Sequence, residues 1–136
     1  MASEILIIGS FIWLISWSIL GLKAGVAHPE WVEKMKSISQ KGGLDEFWST
    51  YDGFKIQIPA HAHANTFACI TFLIGLAIKL EIIGYSPQFQ TALAIGFFVA
   101  MVLAAIGERF RIVPVAAIGS MLFLVGLIVS LIGLFL

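Results

Sequence analysis

Residues Ala60–Ile83 read AHAHANTFACITFLIGLAIKLEII, and this stretch decides what fold the chain can adopt. Beyond its polar opening it carries no acidic or fixed positive charge until Lys79, and it is long enough for a helix to cross the ~30 Å hydrocarbon core of a bilayer. Three runs of comparable character accompany it: Ile5–Ala27, Thr91–Gly107 and Val113–Leu136. The expected fold is therefore an all-α integral membrane bundle, a single domain over residues 1–136. Composition agrees: 60% hydrophobic and 12% charged residues, with a mean hydropathy of +1.00, lie outside the usual soluble range. Eight basic residues balance eight acidic ones, so nothing favours nucleic acid as a partner.

The first run lacks a basic leader, carries Glu4 and exceeds a signal-peptide core in length, which predicts a retained membrane helix. An interfacial segment, 28–58, follows. Pro29 suits the first turn of a new helix, and Trp31, Val32, Met35 and Ile38 fall at helical spacing among Glu33, Lys34, Lys36 and Lys41. That pattern predicts an amphipathic helix lying on the membrane surface and ended by Gly42-Gly43. Phe47, Trp48, Tyr51 and Phe54 then make an aromatic interfacial belt. Tyr85-Ser86-Pro87 turns the chain into the third span. Small residues recur there at Ala92, Gly96, Ala100 and Ala104, continuing to Glu108, and in the fourth span at Gly119, Gly126 and Gly133. Both stripes predict close helix packing, with room for a flat cofactor as the alternative use of the first. Cys69 is the only cysteine, so it forms no intrachain disulfide and is expected to be a buried structural thiol.

Four spans fix which polar groups can meet. The 28–58 and 108–112 segments share one side of the membrane; both termini and the 84–90 turn share the other. His28, His61, His63, Glu108, Arg109 and Arg111 therefore gather at one end of the bundle. Seven of the eight Lys and Arg residues lie towards that end, Lys79 being the exception. The positive-inside rule makes the histidine side cytoplasmic, in a membrane expected to be the prokaryotic cytoplasmic one.

Ionisable groups at such depth are functional candidates. On a helix His61 and His63 point about 200° apart, so they would grip one ion together only if the first turn were distorted. His61 shares a face with Asn65, and His63 with Phe67. A haem b would use these features together. Its iron accepts axial imidazole from His61 or His63, with His28 as a second candidate ligand. Its propionates would favour Arg109 and Arg111, and Asn65 could orient a ligating ring. The alternatives are a copper or zinc site built from His28, His61, His63 and Glu108, or histidines that bind only headgroups and neighbouring backbone.

Pro59-Ala60-His61-Ala62-His63-Ala64-Asn65 resembles the His-Ala-His-x-Asn signature of small membrane proteins related to the haem-copper oxidase catalytic subunit. In that superfamily the corresponding second helix supplies an axial histidine to the low-spin haem. The resemblance implies that His61 or His63 is a haem ligand and leaves the choice between them open. It spans about ten residues, and the family's Asn-Leu-x-Gly continuation reads Asn65-Thr66-Phe67-Ala68 here. His28-Pro29-Glu30 echoes a copper-ligand motif of those enzymes, but it precedes the His-Ala-His element and lacks an accompanying His-His pair. The chain is accordingly not expected to be a complete oxygen- or nitric-oxide-reducing enzyme on its own.

The expected function is a minimal cytochrome b-like protein relaying electrons, with quinone as a candidate partner. It would act in the lipid bilayer as a homo-oligomer or as a subunit of a respiratory complex. A cofactor-free structural or assembly subunit of a larger membrane complex is the alternative from another class. No charged residue lies at the middle of any span, which argues against a transporter.

Overall fold

The computed structural model describes the backbone of residues 1–55 and 57–136, and the side chains of all of these except 54 and 57–60. The order of elements is α1 (Ala2–Gln40), α2 (Leu44–Lys55), α3 (Gln57–Lys79), α4 (Pro87–Arg109) and α5 (Val113–Ile132), closed by a 3-10 turn over Gly133–Phe135. Every element among the described residues is helical. Helices α1, α3, α4 and α5 are each long and apolar enough to cross a membrane.

Local chemistry explains the boundaries. Ser86 caps α4 by accepting the Phe89 N–H at 3.4 Å, and Pro87 occupies the first turn, where its missing N–H costs nothing. Helices α1, α3 and α4 all end through a residue in the left-handed region: Gly42 (φ 73), Glu81 (φ 58) and Arg111 (φ 60). In each case the next N–H turns back to a carbonyl five residues earlier: Gly43 to Ile38, Ile82 to Ala77 and Ile112 to Gly107, at 3.4, 2.9 and 2.7 Å. This reverse bond satisfies carbonyls that a helix end otherwise leaves open.

The interfacial segment differs from the sequence expectation. No new helix starts at Pro29; α1 runs through it without interruption. At 1.5 Å per residue its 39 residues extend for about 58 Å, nearly twice the ~30 Å apolar core. Its far half turns back at Gly42-Gly43 into α2, and the two form a helical hairpin in which the Trp31 ring lies against Gly53. Proline is tolerated because Pro29 and Gly25, whose carbonyl loses its donor, are both exposed, so solvent can satisfy that oxygen. The aromatic belt is present on α2, where Phe47 and Tyr51 stack at 6.4 Å and Trp48 meets both rings edge-on. Phe54, expected in the same belt, lies outside the described side chains.

Packing follows two antiparallel pairs, α1 with α3 and α4 with α5, joined where α3 meets α4. Phe97, Leu6, Met101, Thr71 and Ser10 are the largest fully buried side chains. The glycine stripe of α5 faces inward as expected. A Cβ on Gly119 would lie 2.8 Å from the Ala100 carbonyl oxygen, and one on Gly126 would lie 3.1 Å from the Phe97 ring. The stripe of α4 divides: Ala100 and Ala104 are buried, whereas Ala92 and Gly96 face outward and Gly96 has open space around it. Cys69 is exposed rather than buried. It sits one position past Ala68, the residue that turns into the seam, so helical rotation carries the thiol to the outer face.

Candidate functional site

The two imidazoles of α3 turn to different neighbours. His61 faces α1, where its ring fills the cradle left by the missing side chain of Gly21; a Cβ there would stand 2.8 Å from His61 Nδ1. His63 faces α4, and its Nδ1 lies 2.5 Å from Glu108 Oε1. This separation is the one that two residues' rotation about a helix dictates.

Each ring is also tied to its own face of α3. Asn65 Nδ2 lies 3.1 Å from His61 Nε2, one helical turn away. The partner roles follow from the tautomer: either the amide donates to the ring, or a rotated amide accepts from Nε2–H. In both cases His61 Nδ1 and the other Asn65 amide atom are left over; as placed, Nδ1 and Asn65 Oδ1 are buried with no partner among the described residues. His63 stacks on Phe67 with ring centroids 6.3 Å apart and planes 12° from parallel. Phe67 in turn stacks on Phe123 of α5 at 4.0 Å, and Phe123 meets Phe97 edge-on at 5.1 Å. A continuous aromatic file thus leads from the histidine end into the core.

The pair between His63 and Glu108 has unequal burial. The His63 side chain is 57% exposed and that of Glu108 is 18% exposed, so the carboxylate is the anchored member. In the neutral ring a carboxylate beside Nδ1 favours the tautomer in which Nδ1–H donates and the Nε2 lone pair is left for another partner. Nε2 has no partner among the described residues.

The remaining expected residues are placed less tightly. Arg109 and Arg111 lie exposed just beyond Glu108, at the same end. His28 is exposed on α1, seven residues and about 10 Å beyond Gly21 along the axis, and therefore well outside the layer occupied by His61. Among the described residues no three His, Cys, Asp or Glu side chains gather as a metal-binding group. Gly21 was not anticipated as part of the site. The signal for it is the antiparallel register of α1 on α3, which a sequence does not display.

No family model matches the chain, and neither a curated protein nor a solved structure matches it.

Proposed function

We propose that the chain is an integral membrane protein that holds a haem b at its histidine end and relays electrons. The observation that carries this reading is the His63–Glu108 pair. It presents a tautomer-fixed imidazole with its second nitrogen free, the arrangement that metal-ligating histidines use. The donor set suits the group: one axial imidazole, flat apolar rings at Phe67 and Phe123 beside it, and two arginines at the same end for propionates. His61 is less suited, because its ring is seated directly on α1 at Gly21 and a flat ligand there would require α1 to move. Haem, when bound, supplies reversible one-electron transfer. The residues of this chain orient the ligand, neutralise the propionates and exclude water along the aromatic file. The partners in this reading are a quinone or another membrane subunit, and a second copy of the chain. In this reading the histidine end faces the cytoplasm of a prokaryotic cell, which the excess of Lys and Arg towards that end supports.

Reduced and oxidised absorption spectra of the detergent-solubilised protein test this directly. A Soret band lost in His63→Ala and retained in His61→Ala supports it. A featureless visible spectrum from intact protein isolated from its native membrane overturns it. One observation favours a second reading, a cofactor-free structural subunit: each imidazole already joins two helices, His61 to α1 and His63 to α4. In that case both substitutions loosen assembly and neither changes the spectrum.

A further inference from the structure

Four buried polar atoms have no hydrogen-bond partner among the described residues: His61 Nδ1, Asn65 Oδ1, Trp13 Nε1 and Ser10 Oγ. They belong to a single seam. Three contacts set the register of α1 on α3: Gly21 against His61, Phe11 against Phe72 with centroids 5.1 Å apart, and Leu6 with Ile7 against Gly75. By that register Trp13 lies within about one residue of the level of Ala68, and Ser10 within about one residue of Thr71. Helical spacing puts Leu6, Ser10, Trp13 and Gly21 on one face of α1, and His61, Asn65, Ala68 and Gly75 on one face of α3. Ser10, Ala68 and Thr71 are each 0% exposed, so this stretch lies inside the protein rather than against lipid.

A buried polar atom without a partner is costly, and four along one seam need a common explanation. Packing does not provide it, since alanine or phenylalanine would fill the same positions without the penalty. The chemistry of the set identifies the ligand. It combines donors (an indole N–H and a hydroxyl) with an Asn65 amide atom and His61 Nδ1 that take opposite roles: the amide oxygen accepts where Nδ1–H donates, or the amide N–H donates where Nδ1 is bare. Successive groups are separated by steps of about 4–6 Å along the seam, the reach of one bridging water. Buried water satisfies such otherwise unpaired groups, and it requires two to four polar partners of this mixed kind.

We propose that the α1–α3 seam binds a file of water molecules that enters at the histidine end, passes His61, Asn65 and Trp13, and stops at Ser10. Leu6 closes it: this side chain is 0% exposed, and its Cβ would stand 2.9 Å from a Cβ on Gly75. Thr71, near the level of Ser10, turns its hydroxyl aside to Met101 Sδ at 3.4 Å. The file is therefore a blind inlet and not a pore. It brings water and protons to His61 and about halfway into the span without breaching the barrier. The inference does not need haem; it rests only on the helices crossing a bilayer.

The full-length protein in nanodiscs, with both faces open to reagent, provides the test. Ser10→Cys and Leu6→Cys are made separately in a Cys69→Ala background and treated with a small cationic thiosulfonate. Leu6 is nearer the opposite membrane face than Ser10, so entry from that side would label it first. The expected result is Ser10→Cys reacting roughly tenfold or more faster than Leu6→Cys, because the reactive thiolate forms only where water reaches. Radiolytic hydroxyl-radical footprinting of the unmodified protein reads the same water without any substitution in the seam. Trp13 should be oxidised while Phe97, 1% exposed, is spared. Equal, slow labelling at both positions with Trp13 spared overturns the inlet, and so does faster labelling at Leu6→Cys. Fast labelling of native Cys69, on the outer face of α3, overturns the bilayer reading and the inlet with it.

Discussion

The α4–α5 hairpin and the α1–α3 pair are both antiparallel pairs of apolar helices, yet they are held together differently. Between α4 and α5 the backbones nearly touch: a Cβ on Gly107 would lie 2.5 Å from the Ala116 Cα, and Gly119 sits over Ala100 and Ala104. Its one buried polar side chain, Ser130, is satisfied within its own helix by the Gly126 carbonyl at 2.8 Å. Between α1 and α3 the contacts are Gly21 on the His61 ring, Phe11 on Phe72 and Leu6 with Ile7 on Gly75, and His61, Asn65, Trp13 and Ser10 each bury a polar atom along the same seam. Small residues let membrane helices associate by van der Waals contact alone. The first pair uses that route and the second adds polar groups that packing does not require. The lesson is where to look for chemistry: in the α1–α3 seam, and at His63 and Glu108, where the two pairs meet.

The sharpest way to break this contrast is Gly119→Val. Its Cβ would meet backbone atoms of α4, which cannot rotate away, so the hairpin must separate. A loss of about 3 kcal/mol or more is expected, measured by reversible unfolding in mixed micelles. Gly96→Ala is the control. It has nothing within reach, and a change of no more than about 1 kcal/mol, towards greater stability, is expected from helix propensity. Equal effects at the two positions would remove the claim that backbone contact holds the hairpin.

Gly21→Ala applies the same probe to the polar pair. The obstacle here is the His61 ring, which can swing, so a smaller cost of about 1–2 kcal/mol is expected. The imidazole resonances of His61 should move while those of His63 stay in place. If both histidines respond, they are coupled through α3 and the assignment of separate partners fails. Glu108→Gln comes next in size. The pair is partly exposed, so about 1 kcal/mol of stability is at stake, and less at high salt. If His63 carries a haem, the same substitution raises its midpoint potential measurably without abolishing binding, because the imidazole remains while the carboxylate that makes it electron-rich is gone.

Much of this arrangement was legible in the sequence, and the exceptions have physical causes. Run length gave four spans, and span count alone brought His61, His63 and Glu108 to one end. Rotation per residue separated the imidazoles and paired His61 with Asn65 and His63 with Phe67. Pro29 misled because a proline is equally at home in a first turn and, where its partner carbonyl is exposed, within a continuing helix. Cys69 and Gly96 misled because an apolar span has no polar face to mark which side meets lipid. The cradle at Gly21 was invisible for a different reason: the register between two helices is set by side chains on both, and no single run encodes it.

The smallest expected effect tests the connections rather than the pairs. Glu81 joins α3 to α4, between the two halves, and Arg111 joins α4 to α5 at the histidine end. Both hold nearly the same left-handed conformation, with φ of 58 and 60, which costs a residue with a Cβ about 1 kcal/mol relative to glycine. Glu81→Gly and Arg111→Gly should each therefore stabilise the fold by about 1 kcal/mol or slightly less, since glycine also loses more freedom on folding. At Glu81 that gain should come without any other change. At Arg111 it should be accompanied by weaker haem retention if the guanidinium meets a propionate, with the protein more stable and the cofactor looser in one variant. Stability and retention rising together at Arg111 would show that the residue does no more than end a helix, and the histidine end would lose one of its two proposed anion partners.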